Sequence, residues 1–190
     1  MGSDLARRLN LGCGYQTPDD WENCDSQWPW TGPMSDKMVL AKQHRFRLGN
    51  AAAKGGLPYT DGAFYEVYVA HVLHMFTLPE LEHVVLPEIR RVMAPGGLLR
   101  VVDVDIIKAY RAWQLGDESW YPMPAEDTLD GKLCRYLTWH STRRTLFTGP
   151  YMTRLLERSD RFTGVVPYSA GECPLDQRPS ESFFLTARAR

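Results

Sequence analysis

The sequence predicts an α/β protein with a doubly wound, mostly parallel sheet of seven strands. Short apolar stretches rich in β-branched residues alternate with segments of helical periodicity along most of the 190 residues. A Gly-x-Gly turn directly follows the first apolar stretch, and glycine lets a backbone approach a ligand closely. The chain is long enough for one sizeable core, so we expect residues 1–190 to form a single domain.

The first half of the chain supplies four predicted strands and one predicted helix. The strands are expected at residues 6–11, Trp21–Cys24, Arg45–Leu48 and Glu66–His71. Residues 26–37 are expected to form a loop, because their prolines and glycine interrupt any periodic pattern. Residues 79–93 carry apolar side chains at helical spacing, although Pro87 lies inside this segment and can split the helix.

The second half continues the alternation after one interruption. Leu98–Val104 is predicted to be the fifth strand, residues 150–158 the last helix, and Phe162–Val166 with Ser182–Ala187 an antiparallel pair. Residues 106–140 are rich in aromatic side chains and do not fit the alternation of strands and helices. An insertion after the fifth strand lies at the edge of the sheet where ligands bind, so we expect a lid or wall there. For each tryptophan taken separately, core packing is the more common role.

Composition excludes several classes of function. The net charge of −1 gives no sign of a nucleic-acid partner. The four cysteines are widely spaced and include no Cys-x-x-Cys pair, which favours reduced thiols in the cytoplasm and no metal site. No stretch approaches the roughly 18 apolar residues of a membrane span, and the N-terminus does not resemble a signal peptide.

Four short motifs resemble class I S-adenosylmethionine (SAM) dependent methyltransferases of the broad type 11 kind. In chain order they are Leu9–Gly14, Trp21–Asp25, Leu57–Phe64 and Glu88–Gly97. The resemblance covers most of the chain and is strongest over residues 9–105. It implies a Rossmann-like, three-layer α/β/α sandwich, SAM as the cofactor, and transfer of its methyl group to an acceptor.

The resemblance also implies which residues hold SAM. They are Asn10, Leu11, Gly12, Cys13, Gly14, Asp25, Asn50, Ala51, Leu57, Ala70 and His71. Asp25 would accept both ribose hydroxyl protons, but it follows Gly14 by only 11 residues, where about 20 are usual. That spacing leaves room for a turn and not for a full helix. An ordinary tight turn and a solvated loop aspartate remain the alternatives for these two motifs.

Three residues are candidates for a general base if the acceptor is a hydroxyl or an amine: His71, Asp105 and His140. Asp103 and Asp105 close the fifth strand, and a carboxylate there is expected to face the cleft. Helix capping is the alternative role for these carboxylates. A histidine on an apolar segment, such as His71, is more often part of the core.

Two further hypotheses stay open. Tyr65, His74 and Met75 depart from the family's pattern around the fourth strand. The second hypothesis is therefore a non-catalytic protein that binds SAM or a partner. A nucleotide-dependent oxidoreductase is disfavoured, because a third glycine and a following helix are missing. As a methyltransferase, the chain is expected to act on a small-molecule or sugar-like acceptor that aromatic side chains could stack against. A homodimer is a possible oligomeric state.

Overall fold

A single seven-stranded sheet organises the parts of the chain that the computed structural model describes, which are residues 7–14, 16–25, 44–45, 56–122, 128–139 and 142–190. The strands are β1 Arg7–Leu11, β2 Glu22–Asp25, β3 His44–Arg45, β4 Phe64–Ala70, β5 Met93–Val104, β6 Phe162–Pro167 and β7 Ser182–Ala189. Their order is β3-β2-β1-β4-β5-β7-β6. Strands β1 to β5 pair in parallel, and β7 pairs antiparallel with both β5 and β6. The predicted doubly wound, mostly parallel sheet is confirmed.

Four helices are labelled here: α1 Leu86–Val92, α2 Ile106–Gln114, α3 Leu129–Thr138 and α4 Gly149–Arg158. A one-turn helix at Leu78–Glu80 and a π-helical turn at Leu81–Val85 lead directly into α1. Pro87 lies where the π-helical turn passes into α1, so its missing N–H falls at the junction of two hydrogen-bond patterns. The predicted helix is therefore present, with its hydrogen-bond pattern changed near the proline.

The two faces of the sheet are covered differently. On one face, apolar side chains of α1 and α4 pack against alternate residues of β1, β4, β5 and β7 to form the largest core. On the opposite face, Tyr68 and Val102 pack against Trp21 and Leu175, and α2 and α3 pack near Val104. In the described part of the chain, helices therefore pack on both faces of the sheet.

The stretch between β1 and β2 contains no helix among residues 12–14 and 16–21, in agreement with the short turn predicted there. The predicted third strand is described only at His44–Arg45. Residues 46–48 and the predicted loop at 26–37 lie outside the described residues.

The insertion is more regular than the sequence suggested. It contains α2, a 3-10 turn at Glu118–Trp120 and α3, which enclose a small core of their own. Tyr121 and Tyr136 are buried there, and the Tyr121 hydroxyl donates to the Ala109 carbonyl at 2.6 Å. Capping side chains start both helices, Asp105 for α2 and Thr128 for α3. The insertion therefore has a packed base on which a lid or wall can be held.

None of the helices in the described ranges combines the length and apolar character that crossing a bilayer requires. All four cysteines are free thiols, and Cys134 alone among them is exposed.

Candidate functional site

The glycine turn is tied to the end of β2 by backbone hydrogen bonds. The N–H groups of Gly12 and Cys13 both donate to the Cys24 carbonyl, at 2.7 and 3.2 Å. The Gly14 N–H donates to Asp25 Oδ2 at 2.6 Å. The two motifs that the sequence analysis singled out are thus in direct contact, and the Asp25 carboxylate borders the turn.

Two asparagines brace the short connection between β1 and β2. Asn10 is buried, and its Nδ2 donates to Asn23 Oδ1 at 3.1 Å and to the Gln16 carbonyl at 2.7 Å. Asn23 Nδ2 in turn donates to the carbonyls of Pro18 and Trp21. These amides satisfy backbone groups that a helix would otherwise pair, which explains how so short a segment joins two parallel strands.

The two glycines have different surroundings. Both have positive φ, +76° for Gly12 and +51° for Gly14. A β-carbon at Gly12 would overlap the Val72 side chain, whereas one at Gly14 would meet no atom of the described residues within 4 Å. Gly12 therefore permits contact with the turn after β4, and at Gly14 the described residues leave space that part of a cofactor could fill.

His71 lies at the carboxyl end of β4, beside Val72 and hence beside the glycine turn. Its φ of +55° is in the left-handed region, and its N–H donates to the Val102 carbonyl at 2.8 Å. The ring atom Nε2 is 3.3 Å from Ser182 Oγ, and the buried Nδ1 has no hydrogen-bond partner among the described residues. Burial lowers the pKa of His71 to about 4, so the imidazole is neutral at pH 7 and keeps a lone pair.

His74 and Asp103 form a buried pair behind His71. His74 Nδ1 is 2.6 Å from Asp103 Oδ1, and the carboxylate also accepts the N–H groups of His74 and Val104. Burial acts to raise the pKa of Asp103, but His74 and the N–H donors outweigh it and lower that pKa. The expectation that Asp103 faces the cleft is wrong, because its side chain is fully buried in these contacts.

Asp105 adopts the capping role that was its alternative. Its Oδ1 accepts the Ile107 N–H at 3.1 Å and starts α2. This hydrogen bond explains the position of the Asp105 carboxylate, and no ligand is needed to explain it. Its assignment as a general base stays a prediction.

Two arginines lie against the aromatic rings of Tyr136 and Trp139, and the sequence analysis did not find these arginines. The Arg143 guanidinium carbon is 4.3 Å from the ring centre of Tyr136 and 5.2 Å from that of Trp139. Arg178 lies over Trp139 at 5.7 Å. Both arginines act to lower the pKa of His71, which places their charges close to the imidazole. They come from irregular segments without periodicity, so no sequence pattern pointed to them.

The other tryptophans of the insertion pack within it. Trp120 contacts Tyr121 and Tyr136 edge-on, with ring centres 5.0 Å apart in both cases. Trp113 stacks on Tyr110 and donates Nε1–H to Asp130 at 2.6 Å. For these two tryptophans the core-packing alternative describes what the structure shows.

The remaining predicted site residues vary in their surroundings. Leu11 and Leu57 are buried in the main core, and the Leu57 backbone is held by Glu88 and Arg91. Cys13 is buried, which raises the pKa of its thiol to about 12. Ala70 is partly buried against the second core cluster. Asn50, Ala51 and His140 lie outside the described residues. No group of three potential metal ligands occurs in the part of the chain that the structure describes.

Part of this chain matches a known protein family. Residues 31–101 match the family model described as a methyltransferase domain. A search of curated proteins finds no match.

Solved structures share the fold at low sequence identity. The CurJ carbon methyltransferase has a TM-score of 0.53 and 16% identity over 100% of this chain, which spans 50% of that one. A possible histamine N-methyltransferase from Thermotoga maritima scores 0.55 at 14% identity, covering 97% of this chain and 82% of the other. A SAM-dependent methyltransferase from Archaeoglobus fulgidus scores 0.56 at 10% identity, covering 97% and 87%.

The sheet order and these matches agree with the resemblance to class I SAM-dependent methyltransferases. Residues 31–101 match the methyltransferase-domain family, and the solved structures share the fold. SAM is the cofactor that this class implies. The Asp25 carboxylate at the turn and the open space at Gly14 are compatible with that cofactor.

Proposed function

We propose that this chain transfers the methyl group of SAM to an oxygen or nitrogen atom of a small acceptor, with His71 as the general base. The observation that carries the proposal is the position of His71. Its buried Nδ1 has no hydrogen-bond partner in the described part of the chain, while the next residue, Val72, packs against Gly12 of the glycine turn. A proton acceptor is thus held beside the place where a class I methyltransferase binds its cofactor.

The cofactor, when bound, supplies an electrophilic methyl group on a positively charged sulfur. The chain's own residues would then have three tasks. Asp25, Gly12 and Gly14 would bind and orient the cofactor at the ends of β1 and β2. The insertion would exclude water above the carboxyl edge of the sheet. His71 would take the proton that the acceptor atom loses as its bond to the methyl group forms.

Ser182 and Val102 support the proposed role of His71. The Val102 carbonyl fixes the His71 backbone, and Ser182 Oγ lies next to Nε2. In the tautomer in which Nε2–H donates to Ser182 Oγ, Nδ1 carries the lone pair. That tautomer is the one the proposal requires, with Nδ1 accepting the proton.

The cofactor part of the proposal is tested by calorimetry with S-adenosylhomocysteine. Asp25→Ala should weaken binding by about 1.5–3 kcal/mol, the range for hydrogen bonds to a charged group. Asp20→Ala is the matched control, because Asp20 lies in the same connection and pairs outward with Arg8. Equal affinity in wild type and Asp25→Ala would remove Asp25 from the site.

The catalytic part is tested with radiolabelled SAM and a panel of small hydroxyl and amine acceptors. For an acceptor that is methylated, His71→Gln should lower turnover by about 10²–10⁴-fold, while S-adenosylhomocysteine affinity stays near wild type. His83→Gln, on the exposed side of the π-helical turn, is the control. A loss below tenfold would mean that positioning alone is sufficient. Cofactor binding without transfer to any acceptor would favour the non-catalytic alternative.

A further inference from the structure

Arg143 and Arg178 supply positive charge near His71, and the carboxylates of Asp103 and Glu181 offset part of the charge of Arg143. Within the described part of the chain, neither arginine has a carboxylate oxygen within 4.0 Å of its guanidinium. Arg143 is partly buried, and its Nε is shielded from solvent with no hydrogen-bond partner among the described residues. A shielded donor without a partner is costly, so this arrangement needs an explanation.

The nearby carboxylates have other partners. Asp103 accepts hydrogen bonds from His74 and from two backbone N–H groups. Glu181 accepts the Tyr136 hydroxyl at 3.1 Å. Arg143 itself donates Nη1–H to the Tyr136 carbonyl, a neutral group. Among the residues that the structure describes, two positive charges near the candidate base therefore have no direct carboxylate partner.

The backbone around these charges is also unusual. Four non-glycine residues of the described chain have positive φ, and three of them are His71, Trp139 and Arg178, at 55°, 36° and 48°. Such conformations are unfavourable for residues other than glycine and concentrate at functional sites. The segment carrying Arg178 is further held by Lys108, whose Nζ donates to the carbonyls of Pro179 and Ser182 at 2.8 and 2.6 Å. Arg178 is thus placed by several contacts around it, although its own side chain is exposed.

We propose that the methyl acceptor carries an anionic oxygen group, a carboxylate or a phosphate, that Arg143 and Arg178 bind beside Trp139. The proposal rests on the proposed function, because it assigns the acceptor to the same cleft. Guanidinium groups match such anions with paired, charge-assisted hydrogen bonds, and both guanidinium groups lie over the Trp139 ring. The acceptor's reactive hydroxyl or amine would then lie towards His71.

Binding of an anion would also make His71 a better base. Burial is the largest cause of the low pKa of His71; the Asp103 carboxylate acts to raise that pKa, and the two arginines act to lower it. An anion bound to the arginines would cancel part of their field and raise the pKa of His71 towards the range where a general base works well near neutral pH. The base would thus strengthen when the acceptor is in place.

The test uses three fluorinated probes and protein loaded with S-adenosylhomocysteine. Fluorine NMR titrations compare 4-fluorobenzoate, 4-fluorophenyl phosphate and the neutral 4-fluorobenzamide. At least one anion should bind about tenfold more tightly than the amide, the ratio expected for one charge-assisted hydrogen bond. The tighter of the two anions identifies the group as carboxylate or phosphate.

Variants assign the effect to the two arginines. Arg143→Met and Arg178→Met should each reduce affinity for the preferred anion about five- to tenfold and leave the amide unchanged. Arg144→Met is the control, since Arg144 is adjacent in sequence but pairs with Glu80 at 2.8 Å. If Arg143→Met does not fold, Arg178→Met carries the test alone.

Failure of this inference is distinguishable from failure of the proposed function. Equal affinity for the anions and the amide, or an anion preference that survives Arg178→Met, would overturn the anion site. Absence of S-adenosylhomocysteine binding in wild type would overturn the proposed function. Titrations in unloaded protein would then still measure the anion preference.

Discussion

At the scale of single residues, Gly12 and Gly14 can be separated experimentally. Gly12→Ala should destabilise the fold by about 1–3 kcal/mol, because its β-carbon would overlap Val72 in a packed region. Gly14→Val should abolish binding of S-adenosylhomocysteine and leave the domain folded. Gly14→Val should lower the free energy of unfolding by about 1–2 kcal/mol, because a residue with a side chain would have to adopt positive φ there.

Chemical denaturation and calorimetry on the same two variants provide the measurement. Normal cofactor affinity in Gly14→Val would show that this turn is only structural. An unchanged free energy of unfolding in Gly12→Ala would show that Val72 moves aside at little cost.

His71 should make stability depend on pH. Its folded pKa of about 4 lies below the value of about 6.5 expected in the unfolded chain. Between these values the unfolded state binds a proton that the folded state does not, so stability falls as the pH falls. From pH 7.5 to pH 5 this histidine should remove about 2 kcal/mol of stability.

Denaturant unfolding at the two pH values measures this loss. His71→Gln should show a smaller loss than wild type by about the same 2 kcal/mol. Identical pH dependence in the two proteins would contradict the low pKa of His71.

Residues of the site could be predicted where they belong to local motifs. Gly12, Gly14 and Asp25 follow strands at short distances in sequence, and the structure brings them into contact. Arg143 and Arg178 reach the cleft only through the packing of the insertion and of the segment before β7. Asp103 was misplaced because the sequence alone did not show that His74 would lie opposite it.

At the scale of elements, the pair of His74 and Asp103 joins three parts of the fold. It links β5 to the 3-10 turn at Leu73–Met75, and the His74 carbonyl accepts N–H groups from Arg144 and Thr145 beyond α3. His74→Ala would leave a fully buried carboxylate without its side-chain partner. We expect a loss of about 3 kcal/mol in the free energy of unfolding.

Urea unfolding measures this loss, with His83→Ala as the control. His83 is exposed, so its substitution should stay within about 0.5 kcal/mol of wild type. If His74→Ala behaves like the control, the pair does not hold these elements together.

Elements with clear periodicity were predicted, and those without it were not. The apolar runs of β4 and β5 and the spacing in α4 led to strands and a helix close to those observed. Helices α2 and α3 were not predicted, because the aromatic residues of the insertion and the prolines between the two helices obscure their helical periodicity. Their stability comes from packing on each other around Tyr121 and Tyr136, a contact distant in sequence.

At the scale of the whole molecule, cofactor binding should appear as thermal stabilisation. S-adenosylhomocysteine at one hundred times its dissociation constant should add about 2.7 kcal/mol. For a domain of this size that corresponds to a rise in Tm of about 5–10 °C. Differential scanning calorimetry with NAD at the same concentration should show no rise. A larger shift with NAD would support the oxidoreductase hypothesis instead.

The position of β7 has a consequence for biosynthesis. This strand is the last of the seven to leave the ribosome, yet it lies inside the sheet between β5 and β6. Until Ser182–Ala189 emerges, β5 has an unpaired edge and β6 has no partner in the sheet. Nascent chains arrested before β7 should therefore be exposed to edge-to-edge association, and the domain should complete its sheet only after translation of β7.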